Sequence, residues 1–120
     1  MANVEVMSWG KSVEIVQNAT QDKGRRINSG GYNEINPYGV IPLHVHENNN
    51  EEYIPQTEGM KIIVVSKDEA DQLTEGQIFE KLGEVEAAEI GDVITCHKGE
   101  AHALYNESSE TGRFVFIKYE

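Results

Sequence analysis

Several things are scarce in this chain, and each scarcity excludes something. There is one cysteine, Cys96, so no intrachain disulfide can form and a reducing cytoplasm is the expected setting. No apolar run exceeds that of residues 62–65, far short of the ~20 residues that span a bilayer, so no membrane partner is expected. Basic residues are few, 10 Lys and Arg against 21 Asp and Glu, giving a net charge of −11. A surface this acidic repels phosphate backbones and anionic lipid, which excludes a nucleic-acid partner. The opening Met1-Ala2-Asn3-Val4-Glu5 has no basic patch leading into an apolar stretch, so no secretory leader is expected. Repeats of fixed period and low-complexity tracts are absent as well. At 120 residues, 38% of them hydrophobic, the chain has room for one modest core, and a single domain over 1–120 is expected.

Short β-type segments separated by turn residues are plentiful. Val4-Glu5-Val6 and Val13-Glu14-Ile15-Val16 open the series. Residues 40–46, 52–56, 60–65, 78–82, 85–90, 93–96, 102–105 and 113–119 continue it. Residues 21–39 are polar and rich in Gly and Asn, which predicts turns and extended edges, and Asn36-Pro37 blocks helix there. Ser66-Lys67-Asp68-Glu69 has capping-box spacing and Gly76 sits where a C-cap would fall, so one short helix over 67–75 is predicted. Many short strands with frequent turns favour an all-β sandwich or barrel.

His44 and His46 are one residue apart, and on a strand i and i+2 share a face. Two imidazoles then enter the same space, which is half of a metal site for zinc, copper, iron or nickel. Glu51 and Glu52 follow a polar turn, and His102 lies beyond a Gly-containing turn on another strand. Alone, a His-x-His pair is more often a pair of surface or core histidines than a metal site.

The wider spacing changes that balance. Gly91, Gly99, His102 and Asn106 fall at the intervals of the second cupin motif, with His97 standing where that motif has proline. In the first motif His44 and His46 match, and Gly39 is one position nearer to His44 than the pattern asks. Glu51 fits the interval from His46, whereas Glu52 fits the six-residue interval to Gly59. Glu52 is preferred, because the strand running to Gly59 fixes its face and the Asn48-Asn49-Asn50 turn absorbs an extra residue more easily. Glu51 is the alternate. Over about residues 36–119 the chain thus resembles the cupin superfamily, as a small single-domain member. The resemblance implies a double-stranded β-helix, a jelly-roll barrel with one short helix or turn insertion. It implies one divalent transition-metal ion (Fe, Mn, Zn, Ni or Cu) held by His44, His46, Glu52 and His102, and a homodimer.

Two function classes follow. One is a metal-dependent enzyme, an isomerase or dioxygenase acting on a small polar molecule such as a sugar, sugar acid or carboxylate. The other is a non-catalytic cupin module that binds a sugar or metabolite. His97 is either a proton-transfer group beside the site or a surface residue at a strand end. Cys96 reads as a small buried apolar residue. Tyr53 and Tyr105 alternate away from their neighbouring ligands and are expected to pack outward. Arg25 and Arg26 read as partners of surface acids, with an anionic substrate as the other possibility. Residues 66–76 look like an inserted excursion, and Trp9 with the first strands is expected to cover a sheet edge or exchange with a second subunit.

Overall fold

A computed structural model of the chain describes residues 3–20 and 26–120. Arg25 lies outside the described residues. Nine strands occur in the order β1 (Asn3–Met7), β2 (Gly10–Thr20), β3 (Arg26–Ile35), β4 (Val40–Val45), β5 (Asn50–Pro55), β6 (Met60–Val65), β7 (Ile94–Cys96), β8 (Ala101–Asn106) and β9 (Gly112–Tyr119). They form two antiparallel sheets, one of six strands ordered β1-β2-β3-β9-β5-β7 and one of three ordered β4-β8-β6. From β3 onward each strand crosses to the opposite sheet from the one before it. That winding makes the architecture a double-stranded β-helix and places sequence-distant strands side by side.

The core lies between the sheets. Along β9, Gly112, Phe114 and Phe116 are buried while Arg113, Val115 and Ile117 are only half-buried, the period-2 pattern of a strand with one face inward. Phe114, Phe116, Ile35, Ile41, Tyr53, Met60, Cys96 and Leu104 make one cluster. Asn106 is fully buried beneath it, and its amide reaches the carbonyls of Ile35 (3.1 Å), Asn36 (3.2 Å) and Glu110 (2.8 Å). Gly59 takes φ +83° in the β5–β6 turn, where a Cβ would meet the Glu107 carbonyl at 2.9 Å.

Four stretches depart from the sequence expectation. Residues 26–35 form a ten-residue strand rather than turns, because paired Gly30-Gly31 let the backbones of β2 and β9 close in. A Cβ on Gly31 would fall 1.9 Å from the Val13 carbonyl. The single helix expected over 67–75 is two: α1 (Lys67–Gln72) and α2 (Glu75–Glu84). Ser66 caps α1 as expected, accepting from the Glu69 N–H at 3.1 Å. Thr74 then starts a second helix through a capping box with Gln77, so Gly76 lies in a first turn and not at a C-cap. Residues 78–82, expected as a strand, lie within α2. Residues 85–90, also expected as a strand, have no regular structure. Helix α2 turns Leu82 and Ile78, followed by the capping residue Val85, onto Ile63, Ala103 and Tyr105 of the small sheet.

Polarity inverts in the N-terminal part of the large sheet. The side facing the small sheet carries Glu5, Ser12 and Asn33, which line a cavity. The opposite side carries Ile15, Val16, Ile27, Tyr32, Val115 and Ile117, which line an apolar groove. Val4 (58% exposed), Val6 (80%) and Ile15 (57%) leave much of that outer side open to solvent.

Candidate metal centre

His44 lies on β4, directly opposite His102 on β8 in the antiparallel register. His46 follows just past the end of β4, and its carbonyl accepts from the Gly99 N–H at 3.1 Å, which holds the turn after β7 against it. Glu51 comes from β5 in the other sheet. One donor atom from each of His44, His46, Glu51 and His102 lies within 4.8 Å of the others. The imidazole centroids are 4.2 Å apart for His44–His102, 5.0 Å for His44–His46 and 5.2 Å for His46–His102.

The structure corrects the preference for Glu52. On β5, Glu51, Tyr53 and Pro55 are buried while Asn50, Glu52 and Ile54 are half-buried, so it is Glu51 that joins the histidines. The extra residue resides in the turn at 56–59, beyond the end of β5, and not in the Asn-rich turn. The interval to Gly59 therefore misleads and the interval from His46 gives the position. The same one-residue slip misplaced Tyr53. Two positions from Glu51, it faces inward, 2% exposed, with its hydroxyl 3.2 Å from His102 Nε2. Tyr105 does face away, buried on the outer side of β8 against Phe79 with ring centroids 5.5 Å apart.

The local chemistry fits a metal ion. His44 Nδ1 donates to the Pro42 carbonyl at 2.8 Å, which fixes the tautomer and leaves Nε2 bare as a ligand. His46 Nε2 and His102 Nε2 approach Glu51 Oε1 to 3.1 and 3.2 Å. Neither is aligned as a hydrogen bond, and Oε1, fully buried, has no hydrogen-bond partner among the described residues. A buried carboxylate oxygen left so is costly unless something else satisfies it, and a cation does. Burial, and then the neighbouring His102, push His44 down to about 4, so it is neutral at pH 7. Burial pulls the Glu51 carboxyl up, but the facing His102 and His46 imidazoles outweigh it and hold Glu51 at about 2. Three imidazoles and one carboxylate are the donors brought together, a set that could hold iron, manganese, zinc, nickel or copper.

The remaining sequence candidates lie elsewhere. His97 is exposed after β7, where its backbone N–H donates to Glu100 Oε1 at 2.8 Å, and it is not among the converging residues. Arg26 is on the surface, with its Nε 3.9 Å from Glu120 Oε1. Cys96 is buried beside Glu51, and burial, together with Glu51 and Glu100, pushes its thiol up to about 12.

The cluster forms one wall of a cavity of about 160 Å³, whose other walls include Trp9, Ile41, Tyr53, Phe116 and Lys118. Trp9 lines the cavity while packing on the core. Lys118 and Tyr53 are functional candidates that sequence reading missed. Tyr53 was recoverable from Glu51 by strand alternation. Nothing in the sequence marks Lys118 until β9 is placed beside β5.

No protein-family model and no curated protein matches the chain. Solved structures do. The CENP-C cupin domain of Drosophila melanogaster has a TM-score of 0.65 at 12% identity, covering 98% of this chain and 72% of that one. A predicted oxalate decarboxylase from Thermotoga maritima has a TM-score of 0.60 at 16% identity, covering 98% and 90%. A recombinant oxalate oxidase in complex with glycolate has a TM-score of 0.57 at 16% identity, covering 75% of this chain and 40% of that one. At such identities the likeness is one of fold, and the chain has the cupin fold.

Proposed function

We propose that this chain holds one divalent transition-metal ion through His44, His46, Glu51 and His102 and is a metal-dependent enzyme acting on a small polar molecule. The observation that supports it best is the convergence of three imidazoles and the buried Glu51 carboxylate, whose Oε1 has no hydrogen-bond partner among the described residues. A purely structural barrel gains nothing from gathering three imidazoles and a carboxylate against its core. Such an ion supplies Lewis-acid or redox chemistry to a bound carbonyl, hydroxyl or carboxylate. The chain supplies the rest: His44 is kept neutral by burial and oriented by Pro42, Trp9 and Ile41 give the cavity apolar walls, and the Tyr53 hydroxyl, 3.2 Å from His102 Nε2, steadies that imidazole. A sugar, sugar acid or carboxylate fits this polarity, with isomerisation or dioxygenation as the reaction type.

A non-catalytic binding role is the second reading. It is favoured by the apolar outer side of the large sheet, which suits a protein surface, and by a neighbour of the same fold whose structure is described as CENP-C bound to CAL1. A homodimer through that side is part of the proposal, since the groove residues there are all uncharged and two copies of the groove meet without opposing acids. The lone, deeply buried thiol of Cys96 suits a cytoplasmic setting. Among the described residues no helix is long and apolar enough to cross a membrane.

Elemental analysis of the purified protein beside a His44→Ala, His102→Ala double variant tests the metal centre. About one ion per chain in the parent and none in the variant is the expected result. Absence of metal from both after reconstitution sinks the proposal. Reconstituted protein that takes up metal but turns over no sugar, sugar acid or small carboxylate leaves the binding role standing in its place.

A further inference from the structure

Lys118 is the one cation that lines the metal-site cavity among the described residues. It lies on β9 directly across from Glu51 on β5, on the inward side shared by Phe114 and Phe116. Its ammonium is held 5.5 Å from the centroid of the Phe116 ring, a contact that fixes a cation without neutralising it. Among the described residues its ammonium makes no hydrogen bond and no close ion pair, and it acts on the Glu51 and Glu14 carboxylates only as a longer-range attraction. That is unexpected in a chain with 21 acidic residues against 10 basic ones. The two acids that feel its charge are engaged chiefly with other groups. Glu51 faces His46 and His102, and Glu14 accepts from Asn3, Gln17 and Ser29. Glu5, the remaining acid of the cavity wall, is on the exposed edge strand β1.

We propose that Lys118 is the counter-ion of a small organic carboxylate that binds in this cavity, with the far end of the ligand reaching the His44–His46–Glu51–His102 cluster. A cavity of about 160 Å³ limits that ligand to a handful of non-hydrogen atoms, since ~150 Å³ holds one benzene ring. Ser12 and Asn33 give it uncharged hydrogen-bonding neighbours. The inference deepens the functional reading by naming a substrate class, and it rests on that reading only for the metal end of the ligand.

The test is calorimetric titration of zinc-loaded protein with glycolate, oxalate and malonate, and with the uncharged glycolamide and ethylene glycol. It is repeated on Lys118→Met, which keeps the apolar stem over Phe116, and on Lys118→Arg, which keeps the charge. We expect the parent to bind at least one carboxylate ten-fold or more tightly than the neutral probes. We expect Lys118→Met to lose that preference with unchanged zinc stoichiometry and circular dichroism, and Lys118→Arg to retain most of it. Equal carboxylate affinity in parent and Lys118→Met, or no carboxylate preference in the parent, overturns the assignment. Zinc uptake is measured first, so failure of the metal centre shows separately. The same titrations on metal-free protein then read Lys118 by the same criteria.

Discussion

Single positions decide what this site can do, and the adjacent pair Glu51 and Glu52 shows how sharply. Glu51→Gln keeps the side-chain volume but removes the anionic donor. It is expected to weaken metal binding by more than the about 10–100-fold that loss of a neighbour of a ligand costs. Glu52→Gln is expected to leave metal affinity unchanged. Competition titration against a chromophoric chelator measures both, and the opposite order would return the role to Glu52. Cys96 offers a second check. With its thiol at about 12 and 2% exposed, it is expected to resist thiol reagents at pH 8 until the protein is unfolded. Rapid labelling of native protein would show that β7 opens. The convergence of the three histidines was legible in the sequence because strand alternation and motif spacing set where they point. The glutamate and Tyr53 were not, because their facing depends on one residue of turn length, and alternation converts that single uncertainty into two wrong faces.

At the scale of elements, most strands were visible from β-branched runs, and residues 60–65 were placed to the residue. The failures were elements defined by contacts rather than composition. Strand β3 is polar and glycine-rich, and it persists because β2 and β9 sandwich it. Helix α2 presents Ile78 and Leu82 at helical spacing, but its Thr-x-x-Gln box was overlooked beside a strand-like composition. Thr74→Ala is expected to cost about 1 kcal/mol in denaturant unfolding by removing that cap. Charge also ties elements together: Glu34 on β3 meets Lys11 of β2 and Arg113 of β9, each at 3.1 Å. Hydrogen bonds from Lys11 and then Arg113 hold the Glu34 carboxyl below its ordinary value. A depressed carboxyl contributes stability that is present above the unfolded value of 4.5 and lost as pH falls through the lower folded value. Thermal melts from pH 6 to pH 3 are therefore expected to fall less steeply for Glu34→Gln than for the parent. Because the cluster is partly exposed, the difference should be about 1 kcal/mol or less.

For the molecule as a whole, the fold class was readable from many short strands and the motif spacing, whereas the outward-facing apolar side was not. Alternation along β1 and β2 shows two faces of different polarity without saying which is inside, and here the polar one is. Light scattering is expected to give a dimer. A charge at Val6 or Ile15, as in Val6→Glu or Ile15→Lys, is expected to yield a monomer that still binds metal. A monomeric parent would refute the dimer.

The donors of the proposed centre are divided between the layers, His44 and His102 on the three-stranded sheet and Glu51 on the six-stranded one. An ion seated there works as a rivet, because the halves cannot part without ejecting it. Resistance to heat then becomes a gauge of free metal. At a concentration one hundred times the dissociation constant the rivet adds about 2.7 kcal/mol, a rise in melting temperature of roughly 10 °C for a chain of this size. The melting temperature would then report how much of the ion is free around the protein.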